Sequence, residues 1–380
     1  MLLRTPGASF FHSSAWARVL SDSYGYTPFY FWVAEKDNLR ALVPLMEVNS
    51  FLTGKRGVSL PFTDYCNPIL DRKISFQDLF DQIIEFGKGR GWKHVELRSG
   101  NEPSPAPNSP LPFNPATCNL EPGSRKPQFL ASSLQPPASN LMPQPATCNL
   151  EPATGNGPLP VFVSYIGHTL DLTKGEKAIY SGLRDSTRRN IKKAEKEKVE
   201  VRIEKTGDAM YEFCRLNRLT RREHGLPPQP FHFFEKVHRD IISEEGGFIA
   251  IAYFQGKAIA GNVYFYFGDQ GIYKYGASDR TYQDLRANNL VMWEAIKWFA
   301  GEGCKSLCFG RTEMENQGLQ QFKSGWGPEE YPIRYYRYDL RENAFVPGKK
   351  KGAPVYAGLF RATPIPVLNA IGSLFYRHMG

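Results

Sequence analysis

The sequence predicts an α/β (α+β) protein made of mixed, mainly antiparallel sheets flanked by helices, interrupted by a long disordered Pro-rich insertion. Three observations carry that prediction. Helix-period segments alternate with period-two runs of β-branched and aromatic residues on both sides of residue 100. Residues 248–275 read as three short antiparallel strands joined by tight turns. Residues 101–160 hold 15 of the chain's 29 prolines. With 380 residues, 41% of them apolar and 13% aromatic, the chain has material for two hydrophobic cores and is too apolar to be disordered throughout.

The first unit is residues 1–100. Ser13 is placed to cap a helix reaching Ser21, with Trp16, Val19 and Leu20 along one side. Residues 28–34 and 39–48 read as a hairpin around residues 35–38. Residues 59–65 read as a short strand and loop. A helix over residues 76–87 carries Leu79, Phe80, Ile83 and Ile84 on its apolar face, and residues 94–98 form a strand after it.

Residues 101–160 differ in kind. Only Glu102, Glu121, Arg125, Lys126 and Glu151 are charged among them, and so many prolines remove the backbone donors that helices and sheets need. The octapeptide at residues 115–122 recurs letter for letter at residues 145–152. One duplication is not a solenoid, which needs at least three stacking units. The segment reads as a flexible insertion between two strands, grown by local duplication, with Cys118 and Cys148 as passengers.

The second unit is residues 161–345. Residues 161–170 form a strand and residues 175–198 are mostly helix, with Leu183, Ile191 and Ala194 inward. The other sides carry Arg184, Arg188, Arg189, Lys192, Lys193, Lys196 and Lys198 against Asp185, Glu195 and Glu197. This surplus of positive charge reads either as a solvated helix face or as a surface that meets phosphates. A strand (residues 199–204), helices (208–224 and 231–243), the three-stranded meander, a helix (289–301) and strands at 306–309 and 334–340 follow. Residues 346–380 form a basic, amphipathic tail: Lys349, Lys350 and Lys351 precede an apolar stretch broken by Pro364 and Pro366. It is too interrupted to span a bilayer, and either rests on an anionic leaflet or docks on the first unit.

A net charge of +9 points to an anionic partner: a nucleic acid, a phosphorylated cosubstrate or a membrane surface. The first 18 residues hold no apolar signal core, and no run of 18 apolar residues occurs, so a cytoplasmic location is expected. The six cysteines show no CxxC pairing and no histidine at ligand spacing, which indicates neither a disulfide frame nor a metal site.

The chemistry gathers near residues 310–327. A strand runs into the polar loop Gly310–Arg311–Thr312–Glu313, a short helix follows, and Lys323 stands between Phe322 and a glycine-flanked turn. Lys323 is either a helix-end lysine facing the carbonyl end of its helix or a fixed cation for an anionic centre. Arg311 is a candidate for a phosphate or carboxylate because its planar fork suits both. Tyr264 and Tyr275 of the meander either line a substrate groove or pack the sheet. No general base stands out among Glu223, His224, Asp279, Glu294 and Glu313.

Residues 183–196 (LRDSTRRNIKKAEK), 220–227 (TRREHGLP), 287–296 (ANNLVMWEAI), 309–311 (FGR) and 318–327 (GLQQFKSGWG) together resemble the Fem family. These are the peptidoglycan interpeptide-bridge aminoacyltransferases and their FemAB-like relatives, within the GNAT acyltransferase superfamily. The resemblance is strong over residues 165–338 and weak over the first hundred. It implies two GNAT-like domains with an acceptor between them, and transfer of an aminoacyl or acyl group to an amine of a cell-envelope precursor. It also implies a catalytic pair at Phe322 and Lys323, substrate contacts at Asn288 and Asn289, and a tRNA-facing surface at Arg184, Arg188, Arg189, Lys192 and Lys193. No cofactor is expected, since the donor is a cosubstrate, aminoacyl-tRNA or acyl-CoA. Acyl-CoA enzymes of this superfamily carry a glycine-rich pyrophosphate loop; residues 285–290 here read LRANNL, without a glycine. Two rivals stay open: an acyl-CoA-dependent N-acyltransferase linked to polysaccharide or protein export, and a non-catalytic nucleic-acid or glycan binding module.

Overall fold

A computed structural model describes residues 2–5, 7–35, 38–71, 73–100, 159–348 and 357–380. Most of the predicted insertion, residues 101–158, and Lys349, Lys350 and Lys351 lie outside the described residues. In chain order, α1 (Ser14–Tyr24) precedes β1 (Thr27–Glu35), β2 (Asn38–Ser50), β3 (Gly54–Val58), β4 (Ile69–Leu70), α2 (Phe76–Arg90) and β5 (His94–Ser99). Then come β6 (Val163–Asp171), α3 (Glu176–Gly182), α4 (Asp185–Lys196), β7 (Glu200–Glu204), α5 (Gly207–Glu223), α6 (Phe231–Val237), β8 (Gly247–Phe254), β9 (Lys257–Phe267) and β10 (Gln270–Ser278). The rest are α7 (Ala287–Gly301), β11 (Ser306–Glu313), α8 (Gln317–Ser324), β12 (Glu329–Asp339), β13 (Ala344–Phe345), α9 (Ala357–Ala362) and α10 (Ile365–Met379).

Both units have the expected mixed, mainly antiparallel sheet. Among the described residues only β3 with β5 and β10 with β11 pair in parallel, and each parallel pair is bridged by a helix, α2 or α7. The same strand–helix–strand crossover thus occurs once in each unit.

The two units share one 13-stranded sheet in the order β1-β2-β3-β5-β12-β6-β11-β10-β9-β8-β7, with β4 on β2 and β13 on β12 off this path. The first half of β12 pairs with β6 (Glu329↔Thr169), and its second half pairs with β5 (Arg334↔Ser99). Strand pairing is non-local, so a boundary read from composition could not show that the second stretch lends its last strand to the first. Tyr336 and Leu340 accordingly sit in the core with Phe80 and Trp92.

Helices cover both faces of the second half of the sheet. On one face α1, α5 and α6 pack around Trp16, Phe213 and Phe265; on the other α3, α4 and α7 pack around Ile191, Trp293 and Tyr264. Double coverage corrects the groove role suggested for Tyr264. It is fully buried, accepts from Asn262 Nδ2 at 2.9 Å and reaches Met292 Sδ at 3.4 Å, so it belongs to the core. Phe265, its neighbour in sequence, fills the opposite core: both faces are inside, and alternation no longer separates core from groove.

Two further expectations change. The helix predicted across residues 175–198 breaks at Leu183, which is extended (φ −65°, ψ 145°), while the Arg184 N–H donates to the Gly325 carbonyl at 3.0 Å. The predicted loop at residues 310–313 is the continuation of β11, carried past a bulge between Cys308 and Arg311. The tail docks: α10 buries Leu368, Gly372 and Tyr376 against α5, α1 and β2. Among the described residues no helix is long and apolar enough to cross a membrane.

Candidate functional site

β10 and β11 run side by side only from Gln270–Ser306 to Ile272–Cys308 and then part. Each carries a bulge just beyond the parting, β10 between Tyr273 and Tyr275 and β11 at Gly310. Bulges re-aim side chains, and these two turn charged groups toward the loop that follows β3. Gly310 needs its identity. It has φ +70°, and a Cβ there would stand 3.3 Å from the Asp64 carboxylate.

Asp64 is the anion around which the site forms. Its loop is held in a strained shape, with Leu60 at φ 50° and Phe62 at φ 59°, an arrangement that persists only where surrounding contacts over-determine it. Those contacts are present: Arg98 donates to the Leu60 carbonyl at 3.2 Å, Thr63 Oγ1 donates to the same oxygen at 2.6 Å, and the Tyr335 hydroxyl donates to the Asp64 carbonyl at 2.7 Å. Lys274 Nζ, with a side chain only 4% exposed, donates to Asp64 Oδ2 at 3.2 Å and to the Phe62 carbonyl at 2.7 Å. The Arg311 N–H points at Asp64 Oδ1 from 3.4 Å. Burial alone would raise the Asp64 carboxyl; Lys274, Arg311 and Lys323 hold it below its ordinary value, so it is a carboxylate.

Lys323 is 3% exposed, in the last turn of α8. It does not bind the carbonyl end of its own helix. Its Nζ donates to the Gly310 carbonyl at 3.1 Å and the Arg311 carbonyl at 3.0 Å, clamping the β11 bulge from behind. Burial lowers its ammonium to about 8, against the raising influence of Asp64. The Arg311 guanidinium stacks 4.2 Å from the Tyr165 ring and bonds the Tyr335 hydroxyl. Cys308 is not a thiolate: burial and Asp64 push its thiol up.

Two cavities of about 230 Å³ each open near this cluster, lined by its neighbours Phe322, Tyr65 and Tyr331 rather than by its four charged side chains. The first opens at the start of α7 and is lined by Asn190, Ser278, Arg286, Asn288, Asn289 and Phe322. It thus gathers the predicted Asn288, Asn289 and Phe322 beside Asn190 of α4, at a helix N-terminus where the backbone and dipole favour anions. Asn288 Nδ2 donates to Ser278 Oγ at 3.2 Å, and Phe322 packs edge-on to the buried Trp326. The second cavity is lined by Tyr65, Gly100, Thr169, Glu329 and Tyr331, and the Tyr331 hydroxyl lies 3.7 Å from Cys308 Sγ. The stretch Cys308–Arg311 therefore reaches toward one cavity through Tyr331 and toward the other through Lys323 and its neighbour Phe322.

The remaining predicted residues divide. Arg184 donates to the Gln321 carbonyl at 3.2 Å and to Ser324 Oγ at 3.0 Å, and Arg188 pairs with Asp185 and the Ser181 carbonyl, so both are engaged within the fold. Arg189, Lys192 and Lys193 are exposed. The Tyr275 ring packs on Phe233 and Phe234, and its buried hydroxyl meets no hydrogen-bond partner among the described residues. Asp279 caps the turn before α7 by accepting from the Thr281 N–H at 3.0 Å.

Sequence reasoning missed Asp64 and Lys274. Nothing in residues 59–65 marks Asp64 from any loop aspartate, because its partners come from strands more than 200 positions away. Lys274 did carry a signal: a lone charge between Tyr273 and Tyr275, in a strand whose apolar neighbours face inward.

Residues 181–331 match the family described as an acetyltransferase (GNAT) domain. Lipid II:glycine glycyltransferases of Staphylococcus haemolyticus (strain JCSC1435) and Staphylococcus epidermidis (strain ATCC 35984 / DSM 28319 / BCRC 17069 / CCUG 31568 / BM 3577 / RP62A) are 32% and 30% identical to this chain over 78 and 79 residues. Each match covers 19% of this chain and 19% of the relative's length. Among solved structures, the chain is similar to a crystal structure of FemX, with a TM-score of 0.59 at 11% identity over 88% of this chain and 93% of that one. A tandem GNAT protein from the clavulanic acid biosynthesis pathway gives 0.50 at 8% identity over 89% and 90%. At such identities these structural likenesses speak for the fold.

Proposed function

We propose that this chain, whose residues 181–331 match the acetyltransferase (GNAT) domain and whose fold is similar to that of FemX, is a Fem-type enzyme that transfers an acyl or aminoacyl group to a primary amine of a cell-envelope precursor of the peptidoglycan type. The observation that carries the reading is the convergence of Asp64, Lys274, Arg311 and Lys323 on one bulge, beside a cavity that opens at a helix N-terminus.

Transfer forms a C–N bond between the acceptor amine and the donor carbonyl carbon and breaks the carbonyl's C–O or C–S bond to the carrier. The amine's proton ends on the leaving group. The first cavity holds the carrier's phosphate at the start of α7, with Asn288 and Asn289 as donors and Phe322 as an apolar wall. The exposed Arg189, Lys192 and Lys193 extend that phosphate surface along α4. Asp64 attracts the acceptor ammonium to the junction, where it gives one proton to solvent before the free amine attacks, and the surrounding cations offset the negative charge that grows on the carbonyl oxygen. Lys323 serves as a fixed positive charge and a positioning residue, since both of its bonds hold the backbone that carries Arg311.

Aminoacyl-tRNA and acyl-CoA are the two donor classes for this geometry, and each is a cosubstrate that leaves with the carrier. The test is a transfer assay of purified protein with a panel of charged tRNAs and acyl-CoAs and a muropeptide amine as acceptor. Transfer from either donor class supports the reading. Lys323→Met is expected to lower kcat by about 10²–10³ with the fold kept by circular dichroism. A steep fall of donor affinity with salt marks tRNA, and a shallow one marks acyl-CoA. No transfer from any member of the panel would remove the enzymatic reading.

A further inference from the structure

α10 rests on the fold mainly by one side, with only its last turn also held by the β2–β3 hairpin through His378. Leu368 and Tyr376 are buried, and Gly372 seats so close that a Cβ there would meet the Pro228 carbonyl. At 100° per residue, Ala370, Leu374, Val367 and Ile371 lie away from that side and Phe375 flanks it, with the exposed Arg377 as the one charge at the edge of this apolar arc. Val367 is 49% exposed, Leu374 60% and Phe375 41%. A helix on the surface of a globular protein normally turns polar residues outward; this one turns mostly apolar residues outward, with Ser373 and Arg377 along one edge.

The tip of the β2–β3 hairpin extends that surface. Phe51 is 82% exposed and Leu52 52%, and the Phe51 ring stands edge-on to His378, 4.4 Å away. The tip is tied to the end of α10. Arg56 donates to the His378 carbonyl at 3.1 Å and to the Gly380 carbonyl, and His378 Nδ1 is 3.1 Å from Ser50 Oγ. Two elements more than 300 positions apart thus present their bare apolar side chains as one fixed unit.

Charge identifies what covers it. Residues 346–380 contain Lys349, Lys350, Lys351, Arg361 and Arg377 and no aspartate or glutamate, and Arg361 and Arg377 are exposed. We propose that the outer face of α10 and the Phe51–Leu52 tip dock on an anionic lipid bilayer. The apolar strip enters the boundary between headgroups and acyl chains, and Arg361 and Arg377 stay at phosphate level. A second copy of the chain fits worse, because a two-fold pairing of α10 would set Arg377 against its own copy with no acidic residue on either helix.

The surface leads inward to the site. The Tyr376 ring lies 5.8 Å from Phe62, whose carbonyl accepts from Lys274. A docked α10 is therefore separated from Asp64 by about one layer of side chains. The docking does not rest on the transfer reaction and stands or falls separately.

The full chain is to be sedimented with vesicles of phosphatidylcholine, alone or mixed with phosphatidylglycerol. Binding is expected to the mixed vesicles, weaker at raised salt and weaker still without phosphatidylglycerol. The double variant Leu374→Asn/Phe375→Asn and, separately, Phe51→Ser should each lower partitioning about tenfold without changing the melting temperature, because these side chains are exposed. Three outcomes overturn the proposal: no sedimentation with mixed vesicles at low salt; equal sedimentation of the wild type and both variants; or a wild-type dimer that the Leu374 variant dissociates and that ignores vesicles.

Discussion

Lys323 shows how burial alters a single residue. A solvent-facing lysine titrates near 10.5, whereas this one is lowered to about 8. Between those values the unfolded chain binds the proton and the folded chain does not, so stability on account of Lys323 rises as pH climbs through that window. Activity moves the other way. If the ammonium supports the transition state, kcat falls above pH 8, and Lys323→Met removes that alkaline limb while lowering the plateau; a limb unchanged in the variant assigns it to another group. Gly310 makes a second, sharper case. Gly310→Ala puts a side chain at φ +70° and 3.3 Å from a carboxylate. It is expected to cost about 1–3 kcal/mol in stability, read by denaturant unfolding, and to impair transfer more than that loss explains. The glycine and the lysine were both visible in the sequence. Asp64, which gives them their meaning, was not, because a loop aspartate carries no periodic signal.

At the scale of elements, α4 and α8 form one device. Arg184, at the N-cap of α4, holds the end of α8 through Gln321 and Ser324, and so fixes the turn that carries Phe322 and Lys323. Charge alone put Arg184 in one class with Lys192 and Lys193; the structure separates them. Arg184→Ala is expected to lower the melting temperature by a few degrees, equivalent to about 1 kcal/mol, and to reduce kcat. Lys192→Glu/Lys193→Glu should leave stability within about 0.5 kcal/mol and weaken donor binding, most strongly at low salt. A matching loss of stability in both variants would dissolve the distinction. The amphipathic pattern located both helices. It could not show the break at Leu183, because tertiary bonds from Gly325 and Ser324, some 140 positions away, stabilise it.

For the whole molecule the decisive strand is β12. Ser99 at the end of β5 and Ser164 at the start of β6 both lie opposite Arg334, one on each side of it. Two strand spacings put them about 10 Å apart, a gap that a short linker spans. Replacing residues 101–158 by a short glycine-serine linker should therefore leave the melting transition single and within a few degrees of the full chain, by calorimetry. Two separate transitions would mean that β12 does not join the halves into one cooperative unit.

Composition, periodicity and turn chemistry by themselves determined the class of fold, the meander, most helices, the proline-rich interruption and the stretch around Phe322 and Lys323. Each of these is written in neighbouring residues, where a period of 2 or 3.6 or a turn residue has local meaning. Only the tertiary structure decided that the two units share a sheet through β12, that Tyr264 is core, and that Lys323 clamps a bulge. It alone brought Asp64 and Lys274 into the site and left α10 apolar on its outer side. Pairing of distant strands and desolvation of distant charges arise from contacts between positions that share no pattern along the chain, so they become readable only once the backbone has brought those positions together.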